Sequence, residues 1–154
     1  MQIKSKIIKN VYQLQTESAV CPLELLMKYT KDEVLLTVLP NLSVLAVQVT
    51  AYIAENSACR SIDLATQFKV TRGAISKIMR KLIKYELVDQ FQVECNKKEK
   101  LFSVTAKGRL LADSYHQIME KHQQKQLAFL NQFDENQLKT IAKFLTGFEK
   151  INFE

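Results

Sequence analysis

The sequence predicts a mostly α-helical fold with a small β-hairpin wing: a winged helix-turn-helix framed by N- and C-terminal helices. Three observations carry this expectation. Residues 61–105 read in order as a short helix, a turn, a longer basic helix and a hairpin. With 3 Gly and 2 Pro in 154 residues, a glycine-rich loop architecture is disfavoured. The positive charge is localised as well: residues 69–109 hold eleven Lys and Arg against four Asp and Glu, while the rest of the chain is one unit negative. The length suits one domain with a real core. Residues 1–154 are therefore expected to form a single domain, with 42–105 as the winged part and 1–39 and 106–154 as flanking helices.

Taken in order, Lys4 to Tyr29 carries Ile3, Ile7, Val11 and Leu14, then Leu23, Leu26 and Met27, at helical spacing. Pro22 between the two runs should kink or break that helix near Val20–Cys21. Lys31 to Leu39 is a short helix or a strand, because Val34, Leu35, Leu36 and Val38 fit both. Pro40-Asn41 punctuates. Leu42 to Glu55 is a helix with Ser43 as N-cap and Leu45, Val49, Tyr52 and Ile53 as its apolar stripe. Residues 56–60 are expected as a loop.

In the central unit Ser61 is the expected N-cap of a short helix, with Asp63 favoured in its first turn. Ile62, Leu64, Ala65 and Phe68 should face the core. Thr71 caps a second helix whose buried stripe is Ile75, Ile78, Met79, Leu82 and Ile83. Its opposite face carries Arg72, Ser76, Lys77, Arg80 and Lys84, the short polar and basic types that reach base edges and phosphates. Gly73 weakens the helix by about 1 kcal/mol relative to Ala; it is either tolerated in a first turn or lets the backbone approach a ligand closely. Residues 87–93 and 101–104 alternate apolar and polar around a polar tip with Lys97, Lys98 and Lys100, which makes a lysine-bearing wing. Beyond Ala106 the helical pattern returns. Asp134 and Gln137 form a capping-box pair ahead of the last helix.

Other classes find little support. No apolar run reaches the roughly 18 residues of a membrane span, the N-terminus lacks a signal-peptide pattern, and the chain reads as cytoplasmic. Cys21, Cys59 and Cys95 are odd in number and widely spaced, so no disulfide framework is expected. No metal site is expected: His116 and His122 are six apart and face different sides of a helix. With no glycine-rich phosphate loop, nucleophile elbow or carboxylate cluster, no catalytic residue and no cofactor are expected.

Four stretches, in this order and spacing, resemble the MarR family of transcriptional regulators over nearly the whole chain. They are Leu42-Ser43; Ile62-x-Leu64-Ala65-x-x-Phe68-x-Val70-Thr71; Ser76-Lys77-x-x-x-x-Leu82; and Leu87-Val88, a wing, and Ser103-Val104-Thr105-Ala106-Lys107-Gly108. The resemblance implies a homodimer that binds double-stranded DNA at a palindromic operator, and repression released by an effector, here a small apolar or phenolic molecule. It implies DNA contacts by Ser61, Thr71, Arg72, Gly73, Ser76, Lys77, Arg80, Lys97, Lys98 and Lys100.

Two positions depart from the family. Glu86 stands where glycine usually precedes Leu-Val, and the wing has lysines where the family has Asp-x-Arg. Cys21 lies near the place where a peroxide-sensing branch carries its reactive thiol, so redox sensing is an alternative. Where a zinc-sensing branch has its ligands, this chain has Ser114, Tyr115 and Met119. A further alternative is a winged protein-interaction module without specific DNA binding, which salt dependence would distinguish. The terminal apolar residues, Ile3, Ile7 and Val11 with Phe144, Phe148, Ile151 and Phe153, are expected to bury one another across a two-fold axis.

Overall fold

A computed structural model describes residues 2–14, 22–93 and 96–151, with side chains described for 2–11, 22–92 and 100–148. The described elements are eight helices, a 3-10 turn at Leu39–Asn41 and three strands. They fall into two compact units, Met1–Val20 with Met119–Glu154, and Cys21–Ile118.

The larger unit contains helices α2 (Pro22–Tyr29), α3 (Glu33–Val38), α4 (Val44–Asn56), α5 (Ser61–Phe68) and α6 (Arg72–Lys84). Strands β1 (Cys59–Arg60), β2 (Val88–Val93) and β3 (Asn96–Val104) and the first half of α7 (Ala106–Leu130) complete it. Pro22 stands at the first position of α2, where a missing N–H costs no helical hydrogen bond. The ambiguous 31–39 stretch is helical, because Asp32 accepts a hydrogen bond from the Leu35 amide and so caps α3. Ser43 caps α4 as expected, its Oγ accepting from the Ala46 amide at 3.1 Å.

One core joins these elements. Leu26, Leu35, Leu39, Val47, Val49, Ile53, Leu64, Ile75, Met79, Leu82, Leu87 and Leu111 are fully covered within it. Ile62, expected to face the core, is instead 44% exposed; Leu64 and Ala65 make the contact. Ile83, assigned to the buried stripe of α6, also lies at its solvent edge.

The sheet is antiparallel in the order β1-β3-β2. Its hairpin pairs Val88 with Val104 and Phe91 with Leu101, with an irregularity between Phe91 and Val93. The 56–60 segment is not wholly a loop, since Cys59 and Arg60 pair with Phe102 and Leu101 as a third strand. Two contacts tie α7 to the end of α4. Arg109 Nη1 donates to the Ala54 carbonyl at 2.7 Å, and His116 Nε2 lies 3.0 Å from a Glu55 carboxylate oxygen.

The smaller unit is built from α1 (Gln2–Leu14), the second half of α7 and α8 (Glu135–Ile151). Ile7, Ile8, Leu130, Leu138 and Ala142 form its core with Ile3 and Val11 packed against it, so Ile7, expected to be buried across a two-fold axis, is covered within one chain. The capping box is present: the Asp134 amide donates to Gln137 Oε1 and the Gln137 amide donates to Asp134 Oδ1, both at 2.9 Å. The side chain of buried Asn10 donates to Thr146 Oγ1 at 3.2 Å, and Lys4 is bonded to Asn131.

Candidate nucleic-acid interface

Thr71 sets the start of the site. Its extended backbone ends the turn after α5, and its Oγ1 accepts from the Ala74 amide at 3.1 Å. From there α6 segregates its faces. Ile75, Met79 and Leu82 are buried, while Arg72, Gly73, Ser76, Lys77, Arg80, Lys81 and Lys84 are exposed on the other side. Arg80 Nε donates to the Ser76 carbonyl at 3.4 Å, a long bond that leaves most of the guanidinium fork for a ligand. A row of cations on a rigid helix, backed by core packing, can engage a polyanion without first ordering the backbone.

The turn between α5 and α6 is held by Lys69, whose backbone is left-handed (φ 53°) and whose amide donates to the carbonyls of Ala65 and Thr66. Lys69 and Lys81 were not among the expected DNA contacts, and Lys84 was expected on the basic face without a contact assigned to it; all three are exposed. The charge of all three was visible in the sequence, as was the helical spacing of Lys81 and Lys84.

Ser61 does not cap α5. The cap position is Arg60, without a side-chain cap bond, and half-buried Ser61 is the first helical residue. Arg60 instead grips Asp63 through two bonds, Nε to Oδ2 at 2.7 Å and Nη2 to Oδ1 at 2.9 Å. The hydrogen bond from Arg60 holds the Asp63 carboxyl below its usual pKa.

The far end of α6 closes on Glu86, which carries the positive φ (58°) that glycine normally supplies. Leu87 N–H reaches back to the Leu82 carbonyl at 2.9 Å, Thr105 Oγ1 donates to the Glu86 carbonyl at 2.7 Å, and the Thr105 amide donates to the Leu87 carbonyl at 3.1 Å. These bonds fix how the wing leaves α6. Lys100 is exposed on β3. Lys97 and Lys98 lie on the same strand, with side chains outside the described residues, and Cys21 and Cys95 are outside them altogether. Cys59 is buried, and burial first, then the neighbouring Asp63 charge, pushes its thiol pKa up. Such a thiol is a poor nucleophile. Among the described residues, no three His, Cys, Asp or Glu side chains gather as a metal-binding group.

A helix capped by Thr71, presented face-out beside a three-stranded wing, defines a winged helix-turn-helix. Residues 42–108 match the family described as Winged helix DNA-binding domain. The chain also has the fold of MarR-type regulators. It aligns with the zinc-responsive MarR family member ZitR of Lactococcus lactis at TM-score 0.66 and 20% identity, over 73% of this chain and 77% of that one. It aligns with the adhesin competence repressor AdcR of Streptococcus pyogenes at TM-score 0.63 and 17% identity, over 82% and 87%. In sequence it is 31% identical over 103 residues to the HTH-type transcriptional regulator PchR of Bacillus subtilis (strain 168), covering 65% of this chain and 59% of PchR. The chain thus spans less than two thirds of the length of that relative. The resemblance read from the sequence therefore holds for the fold and for the winged DNA-binding domain.

Proposed function

We propose that this protein is a sequence-specific, homodimeric transcriptional regulator that binds a palindromic DNA operator and is released by a small apolar or phenolic effector. The exposed face of α6 carries the reading: Arg72, Ser76, Lys77 and Arg80 project from one side of a helix whose other side is locked into the core. Arg72, Ser76 and Arg80 would read base edges in the major groove, Lys77 and Thr71 would hold phosphates, and Lys97, Lys98 and Lys100 would engage the backbone from the wing. Lysine lacks the rigid fork of arginine, so the wing contributes attraction more than sequence reading.

The dimer is supported by an apolar face that stands open among the described residues. Ile7, Ile8, Val11, Phe129, Phe133 and Phe144 line an open groove of about 810 Å³ in the smaller unit. Phe144 and Phe129 stand 65% and 57% exposed at it, and Phe148 stacks on Phe144. A small ligand in the groove would leave these rings wet, whereas a second copy would cover floor and rim together. Two copies also provide two recognition helices for half-sites about 34 Å apart.

Fluorescence anisotropy on duplexes selected from a random library tests the reading. Tight binding should weaken steeply with salt, and Arg80→Ala should lower affinity by about tenfold or more with the fold unchanged. Salt-insensitive binding, or no preference over random duplex, would move the protein to the interaction-module class.

A further inference from the structure

Gly73 has no role that the chain itself explains. Its backbone is not in the positive-φ region, which among the described residues is occupied by Ser57, Ala58, Lys69 and Glu86 and by no glycine. A Cβ built on it would meet one atom within 4 Å, Thr71 Oγ1 at 3.9 Å, an ordinary contact. Neither dihedral nor crowding therefore demands glycine, and glycine is the poorest helix former after proline. The contrast with Gly108 is instructive, because a Cβ there would fall 1.9 Å from the Leu87 carbonyl oxygen. One glycine is required from inside the fold and the other is not.

Position then supplies the missing constraint. Projected along α6 at about 100° per residue, Arg72 and Lys81 mark the two edges of the exposed arc, about half a turn apart. Gly73 falls at the middle of that arc, about 20° from Arg80 on one side and about 20° from Lys84 on the other. It also lies in the first turn, the end of a recognition helix that contacts base edges. The centre line of the basic face thus begins with bare backbone flanked by long cations.

We infer that Gly73 sets the depth at which α6 seats in the major groove, and so separates specific from non-specific binding. This rests on the DNA-binding reading above. A side chain here would project outward by about 1.5 Å from Cα and meet the DNA before the flanking side chains reach their base edges. Pushing the helix out by that amount breaks short-range hydrogen bonds from Arg72, Ser76 and Arg80. Long-range attraction between lysines and phosphates is hardly altered, because it falls slowly with distance. Gly73 is thus a specificity determinant that acts by absence of a side chain.

The experiment compares the full-length protein with Gly73→Ala, Gly73→Leu and Lys77→Ala. Two probes are used: the duplex that the parent protein selects from a random library, and a random duplex of equal length. Gly73→Ala should melt at or above the parent temperature, since Ala favours helix, yet bind the selected duplex about tenfold or more weakly. Gly73→Leu should lose more. Both should bind the random duplex within about twofold of the parent, whereas Lys77→Ala should weaken both probes together. If Gly73→Ala and Gly73→Leu bind the selected duplex as the parent does, the inference is overturned and the DNA-binding reading survives. Equal losses on both probes overturn it too, since that would make Gly73 a general contact. If the parent selects no duplex, sequence-specific recognition itself falls, and the inference falls with it.

Discussion

Replacing Gly108 by Ala is the sharpest test of how the winged unit is held together. An ideal Cβ at this position would lie 1.9 Å from the Leu87 carbonyl oxygen, 2.9 Å from its carbon and 3.3 Å from Val104 Cβ. Favourable carbon contacts begin near about 3.5 Å, so α7 and the Leu87 backbone would have to separate by more than about 1 Å. Neither side yields easily. Leu87 is fully buried, its N–H bonds to Leu82 and its carbonyl accepts from Thr105, so moving it strains the end of α6, the start of β2 and the entry to α7 at once. Overpacking of this kind costs about 3 kcal/mol, at the upper end of the usual range because the clash is with backbone. For a chain of this length that is a fall in Tm of about 6–12 °C. Circular dichroism melts of the parent and Gly108→Ala at one concentration measure it. A shift smaller than about 2 °C would refute the claimed close approach of α7 to Leu87.

Glu86→Gly should stabilise the fold. The left-handed backbone at Glu86 costs a non-glycine residue about 1–2 kcal/mol, part of which glycine returns as unfolded-state entropy, leaving a net gain of about 0.5–1 kcal/mol. A chemical-denaturation midpoint that falls in this variant would show that the Glu86 side chain contributes more than its backbone costs. Phe144→Glu should leave the helices formed but place a charge on the exposed apolar face, so sedimentation should report a monomer where the parent is expected to sediment as a dimer. A dimer of unchanged strength would put the self-association surface elsewhere. In a chain carrying Cys21→Ser and Cys95→Ser, Cys59 should react with a thiol reagent at about pH 8 only after denaturant is added, because burial disfavours its thiolate. Rapid labelling of the native protein would contradict that.

Where local chemistry decides, the residues were legible one by one. Ser43, Thr71 and the Asp134–Gln137 pair cap their helices through bonds between near neighbours in sequence, whereas the positive φ at Glu86, where the family usually has glycine, was not foreseen. The segregation of α6 into a buried stripe and a basic face follows from 3.6-residue periodicity and is seen directly in Ile75, Met79 and Leu82. Other features depended on distant partners. A two-residue strand has no periodicity of its own, so Cys59–Arg60 becomes a strand only because β3 offers it a free edge. Ser61 lost the cap position to Arg60 because β1 pairing carries the extended backbone as far as Arg60. Ile62 reads as core by composition but is 44% exposed in the first turn of α5, while Leu64 and Ala65 are buried. The close packing of Gly108 on Leu87 joins residues 21 apart in sequence, and no local pattern announces it.

The separation of charge from apolar surface makes the two proposed activities separable by salt. The surplus of basic residues lies between 69 and 109, in the winged unit, while the exposed Phe129, Phe144 and Phe148 lie in the other unit. Phosphate binding releases counterions, so its free energy falls linearly with the logarithm of salt concentration, by roughly 0.9 log unit of affinity per log unit of salt for each phosphate neutralised. Burial of aromatic rings has no such dependence and is strengthened by excluded salts such as sulfate. Raising sulfate should therefore strip DNA from the protein while the dimer holds or tightens. Anisotropy of labelled DNA should fall, while DNA-free protein at the same sulfate steps should keep or increase its dimer fraction in sedimentation. Dissociation of the protein in step with the loss of DNA would mean that the dimer is held by charge, or exists only on DNA. The apolar face would then need another occupant.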